Sequence, residues 1–315
     1  MAYRSGLASF IGYKAETTVG TYAAPDRFVP LANETLQGDP QAIKAQGIIP
    51  GRIYTRSEQI VAGTYTVAGS VQHELYQAGL GYLFKHALGA NTTTGAGPYT
   101  HAIRNGDLYG LGLTAGVAVP GAGGTVRYKA FTGMKIAELA LAIEAAQVVE
   151  LGVDFVGMTE DLGQSLPTAS YGTDKAKPYT ASDCAVELAA GSYPVRKADI
   201  KITNPMKVDR HATGKRTVDE PVQNDLRSIT VDITVDFSSF AEYQAAIDRD
   251  EAAFEFAFTS GTNSLTIAGN GLYVAKSPVV AGKEMVTQDF TLDVTADDTD
   301  AAAFMIDMIN GESAI

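Results

Sequence analysis

The residues able to do chemistry are few, and their spacing suits none of the familiar sites. His73-Glu74 begins as a zincin signature does, with two histidines one helical turn apart to hold zinc and a glutamate as base. Gln77 stands where the second histidine belongs. His86, His101 and His211 lie far apart, with no cysteine or carboxylate spacing around them that outlines a metal cage. A nucleophile elbow needs Gly-x-Ser-x-Gly to turn a strand sharply into a helix, and neither Gly69-Ser70 nor Gly163-Gln164-Ser165 completes it. A phosphate loop needs Gly-Lys followed by Ser or Thr, whereas Arg216 follows Gly214-Lys215 and Glu284 follows Gly282-Lys283. The glycines around Gly121 have turn composition without a dinucleotide fingerprint. Asp154, Asp232, Asp236 and Asp293 could be paired acid and base, but they are more simply the polar side of alternating strands. No catalytic residue, cofactor site or metal site is expected, and the chain does not read as an enzyme.

The elements that carry these residues are mostly strands. In residues 228–237, Ile229, Val231, Ile233, Val235 and Phe237 share one face, the pattern of a half-buried strand, and Asp232 and Asp236 share the other. Ser239 and Glu242 have capping-box spacing, so a short helix is expected through about Ile247. The first half repeats this order. Residues 63–71 alternate, and Leu75, Leu80, Leu83, Phe84, Ala87 and Leu88 then fall at helical spacing until Gly89 stops the run. Downstream, 131–143 leads through a turn into 149–155, as 267–279 leads into 288–294, and each pair closes on an acidic run. Upstream, 27–33 and 198–204 open the two halves, each followed by a long polar segment, 37–59 and 204–227. Four features in one order point to an internal duplication. The expected modules are residues 1–165 and 184–315, joined by a linker at 166–183. Residues 89–124 form an extra loop or hairpin in the first module, and 300–309 has helical composition.

The 315 residues suffice for two cores, and 36 acidic against 24 basic residues leave a net charge of −12, which disfavours a broad phosphate-gripping face. One cysteine, Cys184, excludes an intramolecular disulfide and suits a reducing cytoplasm. No signal-like core opens the chain and no apolar run is long enough for a membrane helix, so no membrane partner is expected.

Five segments together resemble the tail tube (major tail) proteins of long-tailed, non-contractile bacteriophages: residues 16–31, 61–71, 83–89, 97–101 and 151–157. The resemblance implies a mainly β fold: two tandem β-sandwich or split-barrel modules, each with a short flanking helix, joining a ring-wide β-barrel. It implies a structural virion protein, assembled in the host bacterial cytoplasm, that forms stacked rings as a conduit for DNA. Two modules per chain would make the ring a trimer with pseudo-six-fold symmetry; a hexamer is the runner-up. Other tail proteins would meet the tube ends, and DNA would pass without specific binding. Asp232 and Asp236 are then the candidates for an acidic lumen. Lys207, Asp209, Arg210, Lys215, Arg216, Asp219 and Glu220 make 204–227 the candidate ring-stacking loop, expected to be mobile in a free subunit and ordered in the tube. The alternative class is a carbohydrate-binding or adhesive β-sandwich using Tyr99, Tyr109 and Tyr128, which the absence of tryptophan disfavours.

Overall fold

Alternation becomes strand throughout, and the named strands pair antiparallel. The structure, a computed structural model, describes residues 5–121, 125–171, 177–278, 280, 285–296 and 303–315. In the first half β1 (Phe10–Ala15), β2 (Arg27–Val29), β3 (Asn33–Glu34), β4 (Gln37–Lys44) and β5 (Ile60–Glu74) precede helix α1 (Gly81–Leu88). β6 (Gly89–Thr94), β7 (Tyr99–Asn105), β8 (Leu113–Pro120), β9 (Val126–Glu144), β10 (Glu150–Gly157) and β11 (Thr159–Asp161) follow. In the second half β12 (Cys184–Leu188), β13 (Gly191–Ser192), β14 (Val195–Thr203), β15 (Met206–Lys207), β16 (Val222–Gln223) and β17 (Ser228–Asp236) precede α2 (Ala241–Asp248). β18 (Glu251–Ser260), β19 (Asn263–Ala275), β20 (Thr287–Val294) and β21 (Phe304–Asn310) complete the chain.

The two halves pair their strands in the same order. The first runs β4–β5–β10–β9–β8–β1, and the second runs β14–β17–β20–β19–β18–β12. Chain order within each set also matches, and α1 and α2 follow the corresponding strands β5 and β17. Of the excursion expected at 89–124 only the β6–β7 hairpin is extra; β8 is a strand of the shared set, and residues 122–124 lie outside the described part. The hairpin pairs with the C-terminal β21, which continues along β19 beyond the end of β20.

β9 is the corner. Its first part pairs with β8 and its last part with β10 and β14, and the register slips where it changes partners. Gly133 lies at the bend with φ 63°, a conformation costly to a residue bearing Cβ, and an added Cβ there would meet Met158. Between the layers Tyr13 of β1 stacks on Phe155 of β10, with ring centroids 6.2 Å apart. One apolar cluster runs through both halves, from Val71, Leu141 and Phe155 to Ile200, Val231 and Phe290. Each such buried side chain stabilises by roughly 1.5–3 kcal/mol.

Four expectations are corrected. The C-terminal segment is strand: Phe304, Ile306, Met308 and Asn310 are buried in strict alternation, so a sheet edge on either side outweighs helical composition. Residues 300–302 lie outside the described part. Residues 37–44 form an edge strand, with a register shift between Pro40 and Ala42; an edge tolerates the proline that argued for a loop. Glu242 does not close a capping box. Its carboxylate takes the Tyr193 hydroxyl, while Ser239 Oγ accepts from Ala241 N at 3.3 Å. Residues 204–227, expected to be mobile, are bonded to the first half. At the linker, Tyr179 is buried with Tyr76↔Pro178 and Val148↔Thr180 bridges; linker residues 172–176 lie outside the described part.

Candidate functional site

The residues that could act are arranged over one sheet, its free edges and two arms. β9 of the first half and β14 of the second pair from Glu144↔Lys197 to Glu138↔Thr203. This joins β4, β5, β10 and β9 to β14, β17, β20 and β19 in one uninterrupted sheet. Its inner face feeds the core through Val153, Leu141, Ile200, Val231 and Leu292.

The opposite face is acidic because the polar members of every alternating strand point there. β5 and β10 contribute Glu74 opposite Glu150 together with Asp154, and β9 adds Glu138 and Glu144. β14 and β17 contribute Asp199 directly opposite Asp232, and β20 adds Asp289 and Asp293. Lys197 and Lys201 interrupt the row, pairing with Asp199 at 2.7 Å and Glu138 at 2.8 Å. Burial, with a smaller contribution from the Glu138 charge, pushes the Asp154 carboxyl above its ordinary value.

Of the two predicted lumen residues, Asp232 lies at the middle of this face and accepts from the Thr291 hydroxyl. Asp236 lies at the end of β17 in a bidentate pair with Arg196, at 2.8 and 2.7 Å, and the guanidinium holds its carboxyl below the usual range. Its charge is neutralised within the chain. In the sequence Asp154 and Asp293 read as the polar side of their strands and are not singled out for the lumen, and the remaining carboxylates of the face go unnamed, although alternation in 68–74, 138–144, 150–156 and 287–293 carries the signal.

The two long segments leave equivalent strands and differ in use. Residues 204–227 form a strap. Glu220 accepts from Lys135 Nζ at 2.6 Å and from Gly110 N at 2.7 Å, and Arg216 donates to Gly63 O while its own carbonyl accepts from Tyr65 N. Arg210 donates to Glu220 O, and the pairs Lys207–Asp209 and Lys215–Asp219 close within the strap. Every residue predicted for ring stacking here therefore has a partner in its own chain. The other segment stands out as a hairpin of β4 and β5, carried further by Ala45 N to Gln59 O. Its tip exposes Ile48 at 94%, Ile53 at 89% and Tyr54 at 82%.

Two edges of the joined sheet end without a partner strand among the described residues: β4 on the side away from β5, and β19 beyond Tyr273 on the side away from β20. Unpaired donors and acceptors in a row are a template for another chain.

Three of the four histidines, His73, His86 and His101, are buried and hydrogen-bonded within the fold, and His211 is exposed. Tyr13 Oη lies 2.8 Å from His73 Nε2, with Pro30 O on the other ring nitrogen; Tyr82 O and Gly112 O lie at His86. Burial lowers both imidazoles to about 4. His101 is buried between Thr93 and Asn310. Among the described residues no group of His, Cys, Asp or Glu could hold a metal ion, and no helix is long and apolar enough to cross a membrane.

A family model described as phage tail tube protein matches residues 6–294. The chain belongs to the phage tail tube protein family. No curated protein matches it. Membership makes it a structural tail protein and a virion component, and a tail tube family implies self-association and contact with other tail proteins. The mainly β fold, open edges and protruding arm of this family member are the features such a role would use.

Proposed function

We propose that the chain is a tandem duplication, with modules at 1–165 and 184–315 and a linker at 166–183, that closes into rings of three and stacks into a tube conducting DNA. One observation carries this reading: the β9–β14 ladder joins two sets of strands that share one pairing order. A junction made once inside the chain between equivalent modules can be made again between chains, with the free edges of β19 and β4 taking the places of β9 and β14. Repetition of one rotation then gives a closed ring and removes the edges.

Strand arithmetic favours three copies. Eight strands per chain give about 24 in a trimer. At ~4.8 Å per strand and a tilt near 40°, the backbone walls stand roughly 45–50 Å apart, which leaves a water-filled bore after side chains. Six copies would double the width. The acidic face, with Asp232 near its centre, lines the bore in this arrangement and repels the phosphate backbone, so a duplex slides without specific binding. The apolar hairpin tip at Ile48, Ile53 and Tyr54 suits contact with the next ring, while the strap charges from Lys207 to Glu220 brace the module.

Sedimentation and electron microscopy of the purified protein at rising concentration test the reading. Rings with three-fold order and tubes are expected. A species that stays monomeric, or end-on views with six copies of the chain, would sink it. Deleting residues 47–56 should leave rings that no longer stack, whereas deleting 206–222 should damage the fold itself.

A further inference from the structure

Resting on the ring reading above, we infer that the open edge at 35–39 receives residues 274–278 of the adjacent copy in one register, with Gly38 facing Ala275 and Leu36 facing Ser277. Glu34 and Lys129, which hold the Leu36 backbone in the free chain, give it up to the arriving strand.

The register follows from the repeat. Leu75 N donates to Val149 O at 2.8 Å and Phe237 N to Val286 O at 3.0 Å, closing the β5–β10 and β17–β20 ladders on the side of their helices. Leu75 therefore matches Phe237, and Val149 matches Val286. Eight residues back along the first strand of each pair, Val67 faces Gly38 and Ile229 faces Ile202. Four residues on along the second, Val153 faces Leu139 and Phe290 faces Ala275. Gly38 thus takes the place of Ile202, and Ala275 that of Leu139. Within the chain Ile202 faces Leu139 across the β9–β14 seam, so between copies Gly38 faces Ala275.

The direction of the backbone groups agrees on both edges. Thr35 N donates to Ser70 O in register with β5, so the N–H and C=O of Leu36 and Gly38 point away from β5. On β19, Thr295 N donates to Asn270 O from the β20 side, and Tyr273 N donates to Asp250 O on the other. Ala275 and Ser277 therefore offer their groups to the open side, and the N–H that Pro278 lacks belongs to the β20 side.

In the free chain both groups of Leu36 are taken. Its N–H donates to Glu34 Oε2 at 3.0 Å and its carbonyl accepts from Lys129 Nζ at 2.8 Å, while Lys129 and Glu34 pair at 3.2 Å. The corresponding edge of the second half is covered by β9, and there the buried Ala198 stands in the place of Glu34. A carboxylate and an ammonium cap the edge where no strand covers it, a device that keeps a lone sheet from unspecific pairing. The outward side chains suit the same register. Inside the chain Lys201 and Glu138 brace the seam at 2.8 Å. Between copies Lys276, exposed and without an ion pair among the described residues, comes opposite Gln37 and diagonal to Asp39, within a lysine's reach.

Cysteine pairs in a Cys184→Ser chain test the register, since Cys184 is the one native thiol. Gln37→Cys with Lys276→Cys places two thiols on a non-hydrogen-bonded pair, with Cα atoms about 4.5 Å apart and within disulfide range. Oxidised glutathione added to assembled protein should link it into covalent dimers and trimers on a non-reducing denaturing gel. Thr35→Cys with Val274→Cys sits four residues out of register, about 13 Å, and should stay as single chains. Linking of that pair in place of the first would overturn the register, and so would assembled Q37C/K276C that does not link. Glu34→Ala frees the Leu36 N–H and should lower the concentration at which rings form about fivefold, the worth of one hydrogen bond. An unchanged or higher concentration would overturn the cap. A wild-type chain that never associates in sedimentation would instead sink the ring reading beneath both.

Discussion

Helices α1 and α2 occupy the same place in the two halves, yet seven residues of α1 are buried and in α2 only Glu242 is. The pairing order of the strands sets where each helix lies, and whatever else the chain lays over it sets its burial. Over α1 the chain lays β7, the turn at Asn204 and the C-terminus: Ile315 sits against Gly81, and its carbonyl accepts from Lys85. α2 rests on β19 and faces outward. The difference teaches that the helix of the first half is covered inside the chain and that of the second is covered, in the ring reading, by a neighbour.

The contrast is most easily broken by truncation. Phe84→Ala in α1 removes a buried ring and should cost about 3–5 kcal/mol in the monomer, whereas Ile247→Ala in α2 should stay within about 0.5 kcal/mol. Chemical denaturation of dilute protein measures both, and equal losses would mean that α2 is covered even in the free chain.

The strap offers the same comparison on a smaller scale, between a buried ion pair and an exposed one. Glu220→Ala leaves Lys135, 3% exposed, without its carboxylate and should cost about 3 kcal/mol; replacing both partners, as Lys135→Met with Glu220→Leu, should recover most of that. Lys215→Ala breaks an exposed pair and should cost no more than about 0.5 kcal/mol.

Acid should also act on the first half before the second, because His73 and His86 both lie there. Burial lowers each imidazole to about 4 from an ordinary 6.5, so the unfolded chain binds more protons between those values. Their contribution is complete above about 6.5 and is lost as pH falls toward 4. Each histidine should cost roughly 2 kcal/mol between pH 7 and pH 5. Glu16 works the other way in the carboxylate range, since burial raises it and the folded form then takes up the proton. Unfolding curves at pH 7 and 5 check the sign; no change in stability would show that these imidazoles are not buried neutral.

Much of this was legible in the sequence. Alternation located β5, β9, β10, β17, β19 and β20, and the repeated order of strand and helix anticipated the shared pairing. What alternation missed has local causes. In β4 the run Gly38-Asp39-Pro40-Gln41 has no apolar face, and the backbone of β5 alone holds it extended. The residues 304–310 alternate too, but helix-forming Ala and Met outweighed the pattern until β19 and β7 supplied two edges. The acidic face was half legible: Asp232 and Asp236 stood out on the most regular strand, while Glu138, Glu150 and Asp199 become neighbours only through pairing. Glu220 and Arg216 looked free because their partners, Lys135 and Gly63, lie far away in sequence.

The smallest expected effect separates the two predicted lumen acids by sign. Asp232 faces Asp199 across the ladder, and like charges directly opposite on one face destabilise a sheet. Asp232→Asn keeps an acceptor for the Thr291 hydroxyl while removing that repulsion, so it should raise monomer stability by a few tenths of a kcal/mol. Asp236→Asn does the reverse. It removes one partner of the Arg196 fork, and stability should fall slightly, the more so at low salt where the pair is least screened. Thermal unfolding of both variants at two salt concentrations measures the difference. If Asp232→Asn also lowers stability, Asp232 is held as Asp236 is, by partners within the chain, and loses its claim to be one of the charges a free face keeps for the bore.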